Sequence, residues 1–78
     1  MWYVYILTCS DNTPYTGCTE DIERRIIEHN SGKVHYTSTR RPVRLKTYFA
    51  FDDKVKAFRF EKYLKSGSDI AFAMKHLL

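Results

Sequence analysis

The spacing of apolar positions changes along the chain, and each change marks an element. Residues 2–9, Trp-Tyr-Val-Tyr-Ile-Leu-Thr-Cys, are almost continuously apolar, β-branched or aromatic, with no helix cap before them, which predicts a largely buried first strand. Ser10-Asp11-Asn12-Thr13-Pro14 concentrates turn formers and Tyr15-Thr16-Gly17-Cys18 resumes an extended pattern, so residues 1–18 read as a β-hairpin. A helical period follows over about 20–31: Thr19 is placed to cap it, Glu20 and Asp21 suit its positive end, and Ser31-Gly32 can close it. Residues 33–42 follow neither period and end in proline, the mark of a basic, hydroxyl-rich loop. Val43, Leu45, Thr47 and Phe49 then alternate with Arg44, Lys46, Tyr48 and Ala50, predicting a third strand with the first set on one face. Asp52-Asp53 can cap a helix over about 53–66 that Gly67 breaks. Ser68-Asp69 can start a last short helix carrying Ile70, Phe72, Ala73, Met74 and Leu77. The expected order is β-β-α-β-α-α, an α+β chain without repeats or linkers.

Composition narrows the class. A length of 78 residues leaves room for one domain, spanning 1–78, with a compact core. The 15% aromatic content, 6 Tyr, 5 Phe and 1 Trp, supplies large apolar groups to offset ordering entropy. Cys9 and Cys18 form no Cys-x-x-Cys pair, and the N-terminus has no signal-peptide pattern. The expectation is reduced thiols in a cytoplasmic protein without structural zinc. No apolar run in the sequence approaches the roughly 20 residues of a membrane span. The formal net charge of +4, from 13 Lys+Arg against 9 Asp+Glu, favours a polyanionic partner without specifying one.

Some residues fit a purely structural reading poorly. On the first helix, about 100° per residue puts Ile22, Arg25, Ile26 and His29 on one face and Glu23, Arg24 and Glu28 elsewhere. Arg25 and His29 would then stand one turn apart beside the stripe that packs on the sheet, where desolvation strengthens phosphate contacts. Equally, Arg25 can snorkel and His29 can serve the helix dipole. On the later helix Ala57, Phe60 and Leu64 form an apolar stripe that includes Glu61. That carboxylate can ligate a hard cation or pair with a nearby Lys or Arg. Tyr3, Tyr5 and Tyr15 lie on the hairpin.

Taken in order, Val4-Tyr5-Ile6, Tyr15-Thr16-Gly17, Arg25, His29 and Glu61 resemble the signature of the GIY-YIG nuclease superfamily. Further similarity to its small single-domain branch lies in Thr19–Arg25, in Glu28-His29-Asn30-Ser31-Gly32-Lys33, in Arg40-Arg41-Pro42 and in Phe60–Gly67. The resemblance implies a three-stranded, mainly antiparallel sheet flanked by helices. It also implies a metal-dependent endonuclease that hydrolyses DNA phosphodiesters with one divalent ion. In that scheme Glu61 is the ligand and Mg²⁺ (or Mn²⁺) the ion. Arg25 stabilises phosphoryl charge. Of Tyr5 and Tyr15, one takes the proton of the attacking water and one holds the water network, while His29 relays a proton. Lys33, His35, Arg40 and Arg41 would touch nucleic-acid phosphates, with RNA as a second possible substrate. The chain departs from the family pattern in carrying Val4 and Thr16 inside the two triplets. It also has no asparagine downstream of Glu61, and it has Asp69-Ile70 where similar small members often read Gly-Arg. The alternative function is a nucleic-acid-binding module without useful turnover; a third is an interaction protein in which Glu61 pairs with a lysine.

Overall fold

A computed structural model describes residues 1–66, so the expected short helix with Ile70 and Phe72, and Asp69-Ile70 itself, lie outside the described residues. The elements are β1 (Trp2–Thr8), β2 (Pro14–Thr19), α1 (Ile22–Asn30), α2 (His35–Ser38), β3 (Arg44–Phe51) and α3 (Lys54–Lys65). The sheet has three antiparallel strands in the order β2-β1-β3.

The central position of β1 explains its unbroken apolar run. Val4, Tyr5, Ile6 and Leu7 are all at most 1% exposed, because helices cover both faces. Tyr3, Tyr5 and Leu7 point to one face and Val4 and Ile6 to the other, as strand alternation requires. On the first face Tyr5, Leu7, Cys9 and Val43 form a core cluster with Tyr15 and Ile26 of α1 packed against it. On the second, α3 lays Ala57, fully buried, against the sheet. The aromatic contacts Trp2–Phe58, Phe49–Phe60 and Phe51–Phe60, at 5.5, 4.9 and 5.4 Å between centroids, fill that layer. The α3 stripe is the expected one: Phe60, Glu61 and Leu64 are half-buried around Ala57, and Asp53 caps the helix by accepting from Val55 N at 2.7 Å and Lys56 N at 3.3 Å.

Three local expectations are corrected. The odd positions of β3 do not share one face. Ile6 pairs with Thr47 but Leu7 pairs with Leu45, so Lys46 is an extra residue in the ladder. This bulge reverses the alternation: Thr47 and Phe49 face α3, while Leu45 lies beside Leu7 and Val43 joins the opposite core. The cap of α1 is Asp21, not Thr19, because its carboxylate sits at the right spacing to accept from Arg24 N at 3.1 Å. The Thr19 hydroxyl instead accepts from Asp21 N at 3.1 Å, turning the chain into the helix. Residues 33–42 are not all loop, since His35–Ser38 make one helical turn with no side-chain cap. At its other end α1 closes as expected, on Ser31 and on Gly32 at φ +87°.

Asn30 ties α1 to the sheet. Its side-chain amide donates to Val43 O at 3.2 Å and accepts from Val43 N at 2.8 Å. Both hydrogen-bonding groups of a residue just outside β3 are thereby satisfied by the helix, and the C-terminal turn of α1, with His29 in it, is set against the strands.

Candidate active site

Tyr5 and Gly17 are cross-strand partners, so they present to the same face with nothing between them. A Cβ on Gly17 would collide with the Tyr5 ring and hydroxyl. The bare backbone of β2 is thus what admits the phenol. Tyr15, two residues earlier on the same strand, stands on the same face opposite Leu7.

α1 closes over this corner. The Tyr5 hydroxyl lies 2.9 Å from His29 Nε2 and accepts from Arg25 Nε at 3.3 Å. His29, 0% exposed, has its other ring nitrogen 2.8 Å from the Thr37 hydroxyl of α2, and Thr37 donates to Val34 O at 3.4 Å. The rings of Tyr5 and Tyr15 meet His29 edge-on, at 5.8 and 5.0 Å between centroids. The expectation that Arg25 and not Arg24 turns toward the sheet holds, since Arg24 is exposed. The expected placing of Glu28 away from this face is corrected: its carboxylate accepts from Arg25 NH1 at 3.1 Å. The i, i+3 spacing brings the two side chains together.

Burial raises the Tyr5 phenol from 10.0 to about 12, an effect that the Arg25 hydrogen bond and charge only partly oppose. Burial, with the Arg25 charge, lowers His29 below 6.5, Glu28 opposing. His29 is therefore a neutral imidazole near pH 7. The guanidinium of Arg25 is held firmly protonated by its bonds to Tyr5 and Glu28. Its NH2 group has no hydrogen-bond partner among the described residues, leaving donors for an incoming anion.

Glu61 reaches the rim of this corner from α3. Its side chain is 18% exposed, and one carboxylate oxygen lies 3.0 Å from Lys65 Nζ as an ion pair. Lys65 Nζ also lies 5.6 Å from the Tyr15 ring centroid, on which Glu61 and Tyr15 thus share a neighbour. No group of three or more His, Cys, Asp or Glu side chains converges among the described residues. A cation here would rest on a single carboxylate.

The four expected phosphate-contact residues divide. Lys33 and His35 are exposed. Arg40 and Arg41 are committed to the protein. Arg41 Nε donates to Ser38 O at 2.8 Å and its NH1 to Asn30 O at 3.4 Å, bracing the ends of α2 and α1. Arg40 NH1 donates to Tyr36 O at 2.7 Å, and its guanidinium lies 4.1 Å over the Tyr36 ring. Its Nε stands 3.2 Å from the Asp11 carboxylate as an ion pair without directed hydrogen-bond geometry. Tyr36 in turn leans on Tyr15 at 5.4 Å. Thr37, Tyr36 and Glu28 contact the candidate site residues, and the sequence pattern did not single them out. Only the hydroxyl-rich character of 33–42 hinted at the first.

The pattern of the GIY-YIG catalytic domain matches residues 1–69. The chain is 47% identical to a UPF0213 protein of Halobacterium salinarum over 69 residues, covering 87% of this chain and 90% of that one. It is 40% identical to a UPF0213 protein of Cupriavidus pinatubonensis over 78 residues, covering 95% and 87%. The solution structure of a UPF0213 protein from Bacillus halodurans superposes with a TM-score of 0.62 at 42% identity, covering 99% of this chain and 85% of that one. The tyrosine, glycine, arginine and histidine that meet at the hairpin all lie within the matched span, and the chain belongs to the GIY-YIG family, a domain family of nuclease type.

Proposed function

We propose that the protein is a divalent-metal-dependent endonuclease that hydrolyses phosphodiester bonds in DNA. The observation that carries this reading is the hydrogen-bonded chain Arg25–Tyr5–His29 behind the hairpin. A buried phenol needs a partner for its hydroxyl in any case, but here the partners are an imidazole able to take its proton and a guanidinium able to hold the charge left on its oxygen. In the proposed reaction Tyr5 passes its proton to His29 Nε2 as it takes one from the attacking water. Arg25 Nε holds the phenol oxygen while negative charge develops there, and the free NH2 donors of Arg25 meet the phosphoryl oxygens. Tyr15, half-buried against His29, orders the water on the open side. Lys33 and His35 supply phosphate contacts from the exposed loop, with Arg40 and Arg41 holding that loop's shape.

Glu61 would hold one Mg²⁺ or Mn²⁺. A single carboxylate at a partly open rim suits an ion that keeps most of its shell for water and phosphate oxygens. The bound ion would stabilise charge on the scissile phosphate and the leaving oxygen. Lys65 has to release one carboxylate oxygen for this, which the 49% exposure of its side chain permits.

That same pair favours a second reading, a module that binds nucleic acid without cutting it. One experiment separates the two: cleavage and binding of branched, nicked and plain duplex DNA, and of single-stranded RNA, with Mg²⁺, Mn²⁺ or chelator. Wild type should cut only with metal, and Glu61→Gln should lose roughly 10²-fold or more in rate while still binding. Salt-sensitive binding with no cleavage under any condition would leave the binding module.

A further inference from the structure

We infer that Thr37 is a positioning residue, whose hydroxyl fixes His29 in the Nδ1–H tautomer and so leaves Nε2 bare to accept the proton of Tyr5. The inference deepens the proposed function, because it assigns the residue that gives the Tyr5–His29 pair its direction.

Thr37 is 0% exposed and stands on a helical turn of only four residues, His35–Ser38. A hydroxyl has one proton. Among the described residues the Thr37 hydroxyl has two neighbours, Val34 O at 3.4 Å, which can only accept, and His29 Nδ1 at 2.8 Å; with its proton turned to Val34 O, the oxygen is an acceptor toward Nδ1. Nδ1 must then carry the hydrogen, and in a neutral imidazole Nε2 is left unprotonated. The other end agrees. The Tyr5 oxygen already accepts from Arg25 Nε, and its own proton has His29 Nε2, at 2.9 Å, as its only acceptor among the described residues. The Tyr5 end selects this tautomer and the Thr37 oxygen satisfies it, so the donors run in one direction from Arg25 through Tyr5, with His29 donating onward to Thr37. The groups that face His29 from other elements are Tyr5 on β1 and Tyr15 on β2; on its own helix they are Arg25 and Glu28. None of these offers Nδ1 an acceptor in place of Thr37.

Thr37→Val keeps the shape of the side chain and removes the acceptor. The Nδ1 hydrogen would then face a methyl group, so the Nδ1–H form loses one of its two hydrogen bonds and the neutral ring shifts toward the Nε2–H form. Nε2–H would donate to Tyr5, whose proton would have nowhere to go. Thr37→Ser restores the acceptor without the methyl.

The test is the ¹⁵N and ¹³C NMR spectrum of His29 at pH 7.5 in wild type, Thr37→Val and Thr37→Ser, together with DNA cleavage by each. The expected result is Nδ1–H in wild type and Thr37→Ser and a raised share of Nε2–H in Thr37→Val. Cleavage should fall roughly 10²-fold in Thr37→Val and no further when His29→Ala is added. Wild-type His29 found as Nε2–H overturns the inference without any variant, so a Thr37→Val protein that fails to fold does not rescue it. An unchanged tautomer in Thr37→Val also overturns it. A switched tautomer with full cleavage overturns the positioning role. If wild type does not cleave at all, the proposed function fails separately, and the spectra still decide whether Thr37 sets the tautomer.

Discussion

Tyr5 carries more of the site than any other side chain. Its ring belongs to the core cluster and its oxygen joins β1 to α1 through two hydrogen bonds. Tyr5→Phe keeps the ring and strands both His29 Nε2 and Arg25 Nε. Leaving such groups unpaired in a dry corner costs about 1–3 kcal/mol, and chemical denaturation should show a loss of that size with little change in the slope of the transition. The residue scale is also where the sequence hides most. Nothing in the spacing of Arg40 and Arg41 shows that they bond backbone carbonyls, because those carbonyls lie at the ends of α1 and α2, whose positions depend on where the helices stop. Glu28 falls outside the apolar stripe on a projection of the helix, yet it stands only three residues from Arg25, within reach of the long guanidinium.

At the scale of elements, the hairpin, α1 and α3 were legible because each repeats its period long enough to be read. The burial of Glu61 within the α3 stripe and the turn of Arg25 and His29 toward the sheet followed from the same periodicity. What stayed hidden has no periodic signature. A bulge is a property of how two strands pair, so Lys46 could not be recognised as extra from its own strand. A turn of four residues such as α2 completes barely one period and here lacks a capping side chain. Asp21 and Thr19 both have capping chemistry, and only the chain's path distinguishes them. The bond pair from Asn30 to Val43 gives an element-scale test. Asn30→Ala leaves the Val43 N–H and C=O without the amide and frees the last turn of α1 from the sheet. Stability should drop by about 1–2 kcal/mol. Amide hydrogen exchange of α1 should accelerate toward its C-terminal turn more than in β1, because the tether that is cut lies at that end.

For the whole molecule, two buried groups set opposite edges to a pH window of stability. His29 has a folded pKa below its ordinary 6.5. The unfolded chain therefore binds more protons as pH falls below about 6.5, and stability is lost on acidification through the folded value. Tyr5 has a folded pKa of about 12 against 10.0. The folded chain retains a proton that the unfolded chain gives up, so the stability it contributes is intact below pH 10 and is lost as pH rises toward 12, by on the order of 2 kcal/mol. Denaturation midpoints across pH should fall at both ends, with the acid limb flattened by His29→Gln and the alkaline limb by Tyr5→Phe. A limb that persists in its variant would assign the effect to other groups. The contact between Tyr5 and the bare backbone of Gly17 constrains how this chain can vary. Gly17→Ala should be rescued, as a folded protein, by shrinking Tyr5 to Leu, and no such rescue can restore the hydroxyl. If Tyr5 is the base proposed above, an escape from a side chain at position 17 passes through loss of that base, so a random-mutagenesis screen for folding and a screen for cleavage should accept different residue pairs at these two positions.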